Sequence, residues 1–140
     1  MDNSKTHQVL LGFDFGMKRI GVAVGQTLTN TAQALPILTA KDGIPDWQRI
    51  ENLITTWHPS AFVVGIPYNM NGTEQNTTFA ARKFAHRLKQ KFNLPVHPVD
   101  ERLTTVEAKA LQPVFKKKSS DEIDSYAAKL ILESWLREQR

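Results

Sequence analysis

The chain has 140 residues, enough for one domain with a real core, and its 41% hydrophobic and 23% charged content is ordinary for a soluble globular protein. It has no cysteine, which excludes disulfides, thiolate metal sites and cysteine nucleophiles. Lys+Arg 18 against Asp+Glu 14 gives a formal net charge of +4 and a pI near 9.5, which permits a polyanionic partner without requiring one.

The opening residues, Met1 to His7, are polar and carry no signal-peptide core. No apolar run approaches the ~20 residues of a membrane span. A cytoplasmic protein without membrane contact is expected, with residues 1–140 as one domain. The first strand is predicted from about Gln8 to Phe15. Met17-Lys18 makes the turn, and Arg19 to Gly25 returns antiparallel. Strand side chains alternate faces, so Leu11, Phe13 and Phe15 share one face and Gly12, Asp14 and Gly16 the other. Gln33 to Thr39 completes a meander. Lys41 to Pro45 is punctuation, and Asp46 to Trp57 has helical spacing of Trp47, Ile50, Leu53, Ile54 and Trp57. Ala61 to Ile66 is a continuous apolar run, the mark of a strand covered on both faces.

The loop Pro67 to Thr73 leads into a second helix over about Glu74 to Lys91, with Ala81, Phe84, Ala85, Leu88 and Phe92 on one stripe. Val96 to Val99 is the last strand, ending at Asp100-Glu101-Arg102. Thr104 and Glu107 fit a capping box for a third helix that Pro113 stops, and Ser119 and Glu122 fit another opening the final helix. The final helix reaches about Arg137, with the stripe Ile123, Tyr126, Ala127, Leu130, Ile131 and Trp135. The order β-β-β-α-β-α-β-α-α argues for an α/β fold: a mixed five-stranded sheet with helices on both faces. Sites in such sheets gather at the carboxyl ends of strands.

Asp14 is an acid in a strand, where acids are depleted and costly to bury without a partner. Its flanking glycines leave room for a metal ion or a phosphate; equally, they serve the backbone of a turn. Asp100, Glu101 and Asp124 are the acids able to join it. Carboxylates without cysteine favour hard divalent cations, Mg²⁺ or Mn²⁺. A pair of such ions activates water and stabilises the leaving oxygen in phosphodiester cleavage. Taken singly, Asp124 is a first-turn acid complementing a helix dipole, and Asp100-Glu101-Arg102 is an exposed turn with a local ion pair. Asn69, Asn71 and Thr73 precede a helix N-terminus, which suits a phosphate, though Asn-Gly is also plain turn chemistry. Basic residues gather at Arg82 to Lys91 and at Lys116, Lys117 and Lys118, in positions to neutralise a nucleic-acid backbone or simply to face solvent.

Four segments together resemble the YqgF family, also called RuvX. They are Gly12-Phe13-Asp14-Phe15-Gly16-Met17-Lys18-Arg19-Ile20-Gly21-Val22-Ala23-Val24, Val64 to Thr73 (VGIPYNMNGT), Asp100 to Thr105 (DERLTT) and Ile123 to Leu132 (IDSYAAKLIL). They stand in the family's order and span nearly the whole chain. The resemblance implies a ribonuclease H-like fold and a metal-dependent nuclease. The family is described as a candidate Holliday junction resolvase and as a nuclease maturing the 5′ end of pre-16S ribosomal RNA.

Carried onto this chain, the resemblance makes Asp14, Glu101 and Asp124 the catalytic set. Those three and Asp100 are the metal ligands, with Asp100 and Glu101 competing for the middle position. Lys18, Arg19, Asn69, Asn71, Thr73, Arg102 and Lys116–Lys118 would hold substrate. Two departures stand out: Gly25-Gln26 where the family has Ser-Asp, and Asn71 where it has Asp. The leading expectation is cleavage of structured RNA by a monomer or weak homodimer. The alternatives are four-way DNA junctions, cut by a symmetric pair of sites, and RNA binding in ribosome assembly without hydrolysis. Actin-like ATPases share the Gly-x-Asp-x-Gly hairpin but need two such domains.

Overall fold

The computed structural model describes residues 7–103 and 120–139. The predicted third helix, Ser119 with its capping box, and Lys116–Lys118 lie outside the described residues. The elements are β1 (Val9–Asp14), β2 (Arg19–Gln26), β3 (Thr31–Lys41), β4 (Ile44–Pro45), α1 (Trp47–Trp57), β5 (Ala61–Ile66), α2 (Asn76–Phe92) and β6 (Val96–Asp100). A 3₁₀ turn follows at Glu101–Leu103, and the final helix, α3, is Ser120–Glu138. The strands lie in the order β4-β3-β2-β1-β5-β6. β1 runs antiparallel to β2 and parallel to β5, and β5 runs parallel to β6. The sheet is therefore mixed, as expected, and the carboxyl ends of β1, β5 and β6 come together.

The punctuation at Lys41–Pro45 is itself a tight hairpin. Asp42 and Gly43 both have positive φ, and Ile44–Pro45 folds back on Ala40 and Lys41 as a two-residue sixth strand. Asp46 caps α1 by accepting the Gln48 N–H, and His58 closes it in the left-handed conformation.

The two faces of the sheet are packed differently. On one, Leu11, Phe13, Phe15, Ile20, Val22, Phe62, Val64 and Ile66 meet α1 and α2. The ring of Phe84 sits 5.4 Å from Phe13, 5.5 Å from Phe15 and 5.9 Å from Trp47. On the other, α3 lies against Gly12, Gly21, Ala23, Gly25, Val63 and Gly65. Its buried residues are Ser125, Ala127, Ala128, Ile131, Leu132 and Leu136, while Tyr126, Leu130 and Trp135 stay half-buried. This corrects the predicted stripe. Selecting large apolar residues favoured Tyr126 and Leu130, but a glycine-rich sheet face calls for the small side of the helix. Among the described residues, no helix is long and apolar enough to cross a membrane.

Candidate active site

Asp14 is the last residue of β1, and its neighbours across both adjacent strands are glycines, Gly21 on β2 and Gly65 on β5. Each glycine admits a specific group. A Cβ at Gly65 would stand 2.9 Å from Glu101 Oε1 and 2.6 Å from Ile131. A Cβ at Gly21 would stand 2.0 Å from the Asp124 carbonyl oxygen. The glycines beside Asp14 in strand pairing thus let in the two segments that carry Glu101 and Asp124.

The glycines beside Asp14 in sequence do something else. The space over Gly12 is taken by Leu132, 2.9 Å from an added Cβ, and Gly16 makes room for the Arg19 carbonyl in the turn. The expectation that these two keep a face open for metal or phosphate is corrected: one serves helix packing, the other the hairpin.

The Asp14 and Glu101 carboxyls lie against each other. Burial above all, then the Glu101 carboxyl beside it and the charge of Asp124, holds the Asp14 carboxyl well above the ordinary aspartate value. Asp100 faces elsewhere. Its carboxylate accepts from the Arg102 Nε at 3.1 Å, the Arg102 Nη2 at 2.7 Å and the Arg102 backbone N–H at 2.9 Å. Arg102 holds Asp100 below the ordinary aspartate value. Strand alternation left the middle acid open between the two; the geometry puts Glu101 against Asp14 and Asp100 in an ion pair.

Asp124 comes near Asp14 through its charge but is bonded to Arg19, whose Nε donates to Oδ2 at 2.9 Å and lies 3.6 Å from Asp121. Among the described residues, no three His, Asp or Glu side chains are gathered closely enough to hold one metal ion as they stand. α3 is seated here by Ser125, whose hydroxyl donates to the Leu35 carbonyl. The register between β2 and β3 shifts next to that carbonyl, between Ile20 and Val22. The shift falls opposite Gly21, where Asp124 crosses the sheet.

The loop after β5 is closed on itself. Asn71 Oδ1 accepts from the Thr73 N–H and hydroxyl, and the Asn69 amide donates to Thr73. Gly72 has φ +87° and lies against the Arg102 guanidinium. Asn71 needs only a side-chain oxygen for this work, so it serves where the family has Asp. The other departure sits away from the site. Gln26 pairs with Val9, at the opposite end of β1 from Asp14, roughly 16 Å away at a strand's rise per residue.

Sequence reasoning missed Gly21, Gly65 and Ser125, and it gave Arg19 to substrate rather than to Asp124. Gly21 had a signal: a tight turn at Met17-Lys18 pairs it with Asp14. It also missed Tyr68, whose ring lies 5.5 Å from the Arg82 guanidinium and 5.4 Å from that of Arg102.

A family profile described as "RuvX: Holliday junction resolvase" matches residues 8–138. A Coxiella burnetii protein named "Putative pre-16S rRNA nuclease" is 62% identical over 135 residues, covering 94% of each chain. A protein of the same name from Glaesserella parasuis is 53% identical, over 94% of this chain and 98% of its own. Among solved structures, Thermus thermophilus RuvC in complex with a Holliday junction superposes with a TM-score of 0.56 at 16% identity, covering 95% and 96% of the two chains. The yeast mitochondrial Holliday junction resolvase Ydc2 gives 0.54 at 13% identity, over 93% of this chain and 78% of its own. These structural likenesses bear on the fold, which is ribonuclease H-like.

Proposed function

This chain belongs to the RuvX family, and from that premise we propose that it is a metal-dependent endonuclease, acting in the cytoplasm as one domain on the 5′ end of precursor 16S ribosomal RNA. The observation that carries the chemistry is the Asp14–Glu101 carboxyl pair at the joined carboxyl ends of β1 and β6, with Asp124 beside it. Two acids against each other beside a third is an arrangement that a cation relieves.

The donors are all carboxylate oxygens, which suits Mg²⁺ or Mn²⁺. Asp14, Glu101 and Asp124 would hold the ions, with Asp100 committed to Arg102. When bound, such ions supply the activation of water and the stabilisation of the leaving oxygen in phosphodiester hydrolysis. The chain's own groups set the stage. Burial and the neighbouring carboxylates favour a proton on Asp14, and a bound cation would remove that preference. Arg19 orients Asp124 and stands, with exposed Lys18, on the turn that follows Asp14. Asn69, Asn71 and Thr73 fix the loop beside Arg102, giving a substrate phosphate a shaped wall. Lys116–Lys118 add backbone neutralisation. The working assembly is a monomer or weak homodimer.

Wild type and Asp14→Asn are compared on precursor ribosomal RNA with Mg²⁺, with RNA binding measured in parallel. The variant is expected to bind and not to cut. Equal cleavage by both overturns the assignment. A four-way DNA junction, tested beside the RNA, decides the substrate: preferential junction cleavage by a stable homodimer replaces the RNA reading with the resolvase.

A further inference from the structure

The fold brings three exposed segments onto one surface beside the carboxylates. The Gly43 N–H donates to the Met17 carbonyl and the Ala40 N–H to the Lys18 carbonyl, both at 2.8 Å. The β1–β2 turn is thereby tied to the β3–β4 hairpin. A small cavity of about 70 Å³, lined by Ile44, Ala80, Lys83 and Arg87 among others, joins that hairpin to the outer side of α2. Phe79 stands one helical turn before Lys83 on the same side of α2.

This surface is both apolar and basic. Met17 is 40% exposed, Ile44 48% and Phe79 56%. More than half of the Phe79 side chain faces solvent, where a large apolar ring gains little for the fold. Lys83 and Arg87 follow it on α2, Lys18 and Lys41 stand on the turn and hairpin across the cavity, and among the described residues none of these is in an ion pair. Asp42 is the acid set against them. The contrast with the nearby Arg82 and Arg102 is direct, because those guanidiniums are already bonded to Glu74 and Asp100.

Cations without partners around an aromatic ring form the combination that binds single-stranded nucleic acid. The charges track the phosphates and the ring accepts an unpaired base. A duplex keeps its base faces stacked and offers nothing to the ring. We infer that Phe79, Lys83 and Arg87 of α2, with Lys18 and Ile44, dock an unpaired strand that runs on from the Asp14 site. The inference rests on the nuclease reading for the identity of the ligand, and it adds what that reading leaves open: the flank of the substrate is single-stranded.

The test is a binding titration in EDTA, so that no cleavage intervenes. A short unstructured single-stranded RNA and the duplex of the same sequence serve as probes. Phe79→Ala is expected to bind the single strand about tenfold more weakly, with little change on the duplex, and Phe79→Trp to keep wild-type affinity. Lys83→Glu with Arg87→Glu weakens single-strand binding and lowers the salt dependence by about one phosphate contact or more. Lys89→Glu makes half that change of charge at an exposed position of α2 turned away from Arg87, and should stay within about twofold of wild type. Wild-type single-strand binding by Phe79→Ala, or an equal loss from Lys89→Glu, overturns the inference. Neither result touches the nuclease reading, which stands or falls on cleavage by Asp14→Asn.

Discussion

The two faces of the sheet solve the same burial problem in opposite ways. The face under α1 and α2 is filled with large side chains, Phe13, Phe62 and Phe84 at its centre, all buried. The face under α3 is built mostly from glycine, alanine and valine, with Leu10 the large exception, and the helix comes close enough for its backbone to touch the strand at Gly21. Large side chains hold helices away from a sheet and produce stability. Small ones let a helix approach and produce position. The proposed chemistry sits on the second face, at its end, where among the described residues a strand carboxylate, a helix-borne carboxylate and Glu101 come close to one another.

The contrast breaks most visibly at Phe13. Phe13→Ala removes a fully buried ring at the centre of the aromatic cluster. Such truncations cost about 3–5 kcal/mol, to be read in urea unfolding. Below its unfolding transition the variant should cut RNA at the wild-type rate, because no part of the carboxylate site rests on that ring. A lost rate in protein that is still folded would show that the faces are not independent.

Gly21→Ala tests the other face. Its Cβ would meet the Asp124 carbonyl at 2.0 Å, and the obstacle is backbone rather than a mobile side-chain tip. Overpacking of this kind costs about 1–3 kcal/mol, less than Phe13→Ala. The effect on cleavage should be the larger of the two, since the start of α3 must shift and take Asp124 with it. Urea unfolding and single-turnover cleavage of the same preparation give both numbers. If Gly21→Ala proves as active as wild type, the close seat of α3 does not position Asp124.

The aromatic face was legible in the sequence because alternation and helical spacing both report large apolar residues. Leu11, Phe13 and Phe15 fell on one side by period two, and Phe84 and Leu88 on one stripe by helical period. The glycine face was legible only through the acid it holds. Asp14 was visible as an oddity, but Gly21 and Gly65 matter through strand pairing, which a single strand's pattern does not contain. The α3 stripe held at Ala127 and Ile131 but was turned too far toward Tyr126 and Leu130 for the same reason: its contact face is chosen by what lies opposite. Asp100 and Glu101 could not be separated by alternation, because Asp100 ends β6 and Glu101 begins a 3₁₀ turn where period two no longer holds. The four ordered motifs supplied the family and named Asp14, Glu101 and Asp124, but not Arg19 as the partner of Asp124.

Asp14→Asn has the smallest expected effect on packing, since it changes neither volume nor shape, yet it sharpens the contrast by showing what the glycine face costs. The native state holds a proton on Asp14 more strongly than the unfolded chain does, mainly because Asp14 is buried. Stability that depends on this proton is fully present below the ordinary aspartate pKa of about 3.9. It is lost as the pH rises through the raised native value, because there the native state binds more protons than the unfolded state. An amide at residue 14 does not titrate and so removes that slope. In EDTA the variant should therefore melt above wild type near neutral pH, with its advantage closing as the solution is made acidic. Adding Mg²⁺ should raise the melting temperature of wild type and leave the variant nearly unmoved, because a ligand stabilises only a native state that binds it. Parallel pH profiles for the two proteins would mean that the carboxyl pair carries no strain. The glycine face would then be a packing solution alone, equivalent in kind to the aromatic one.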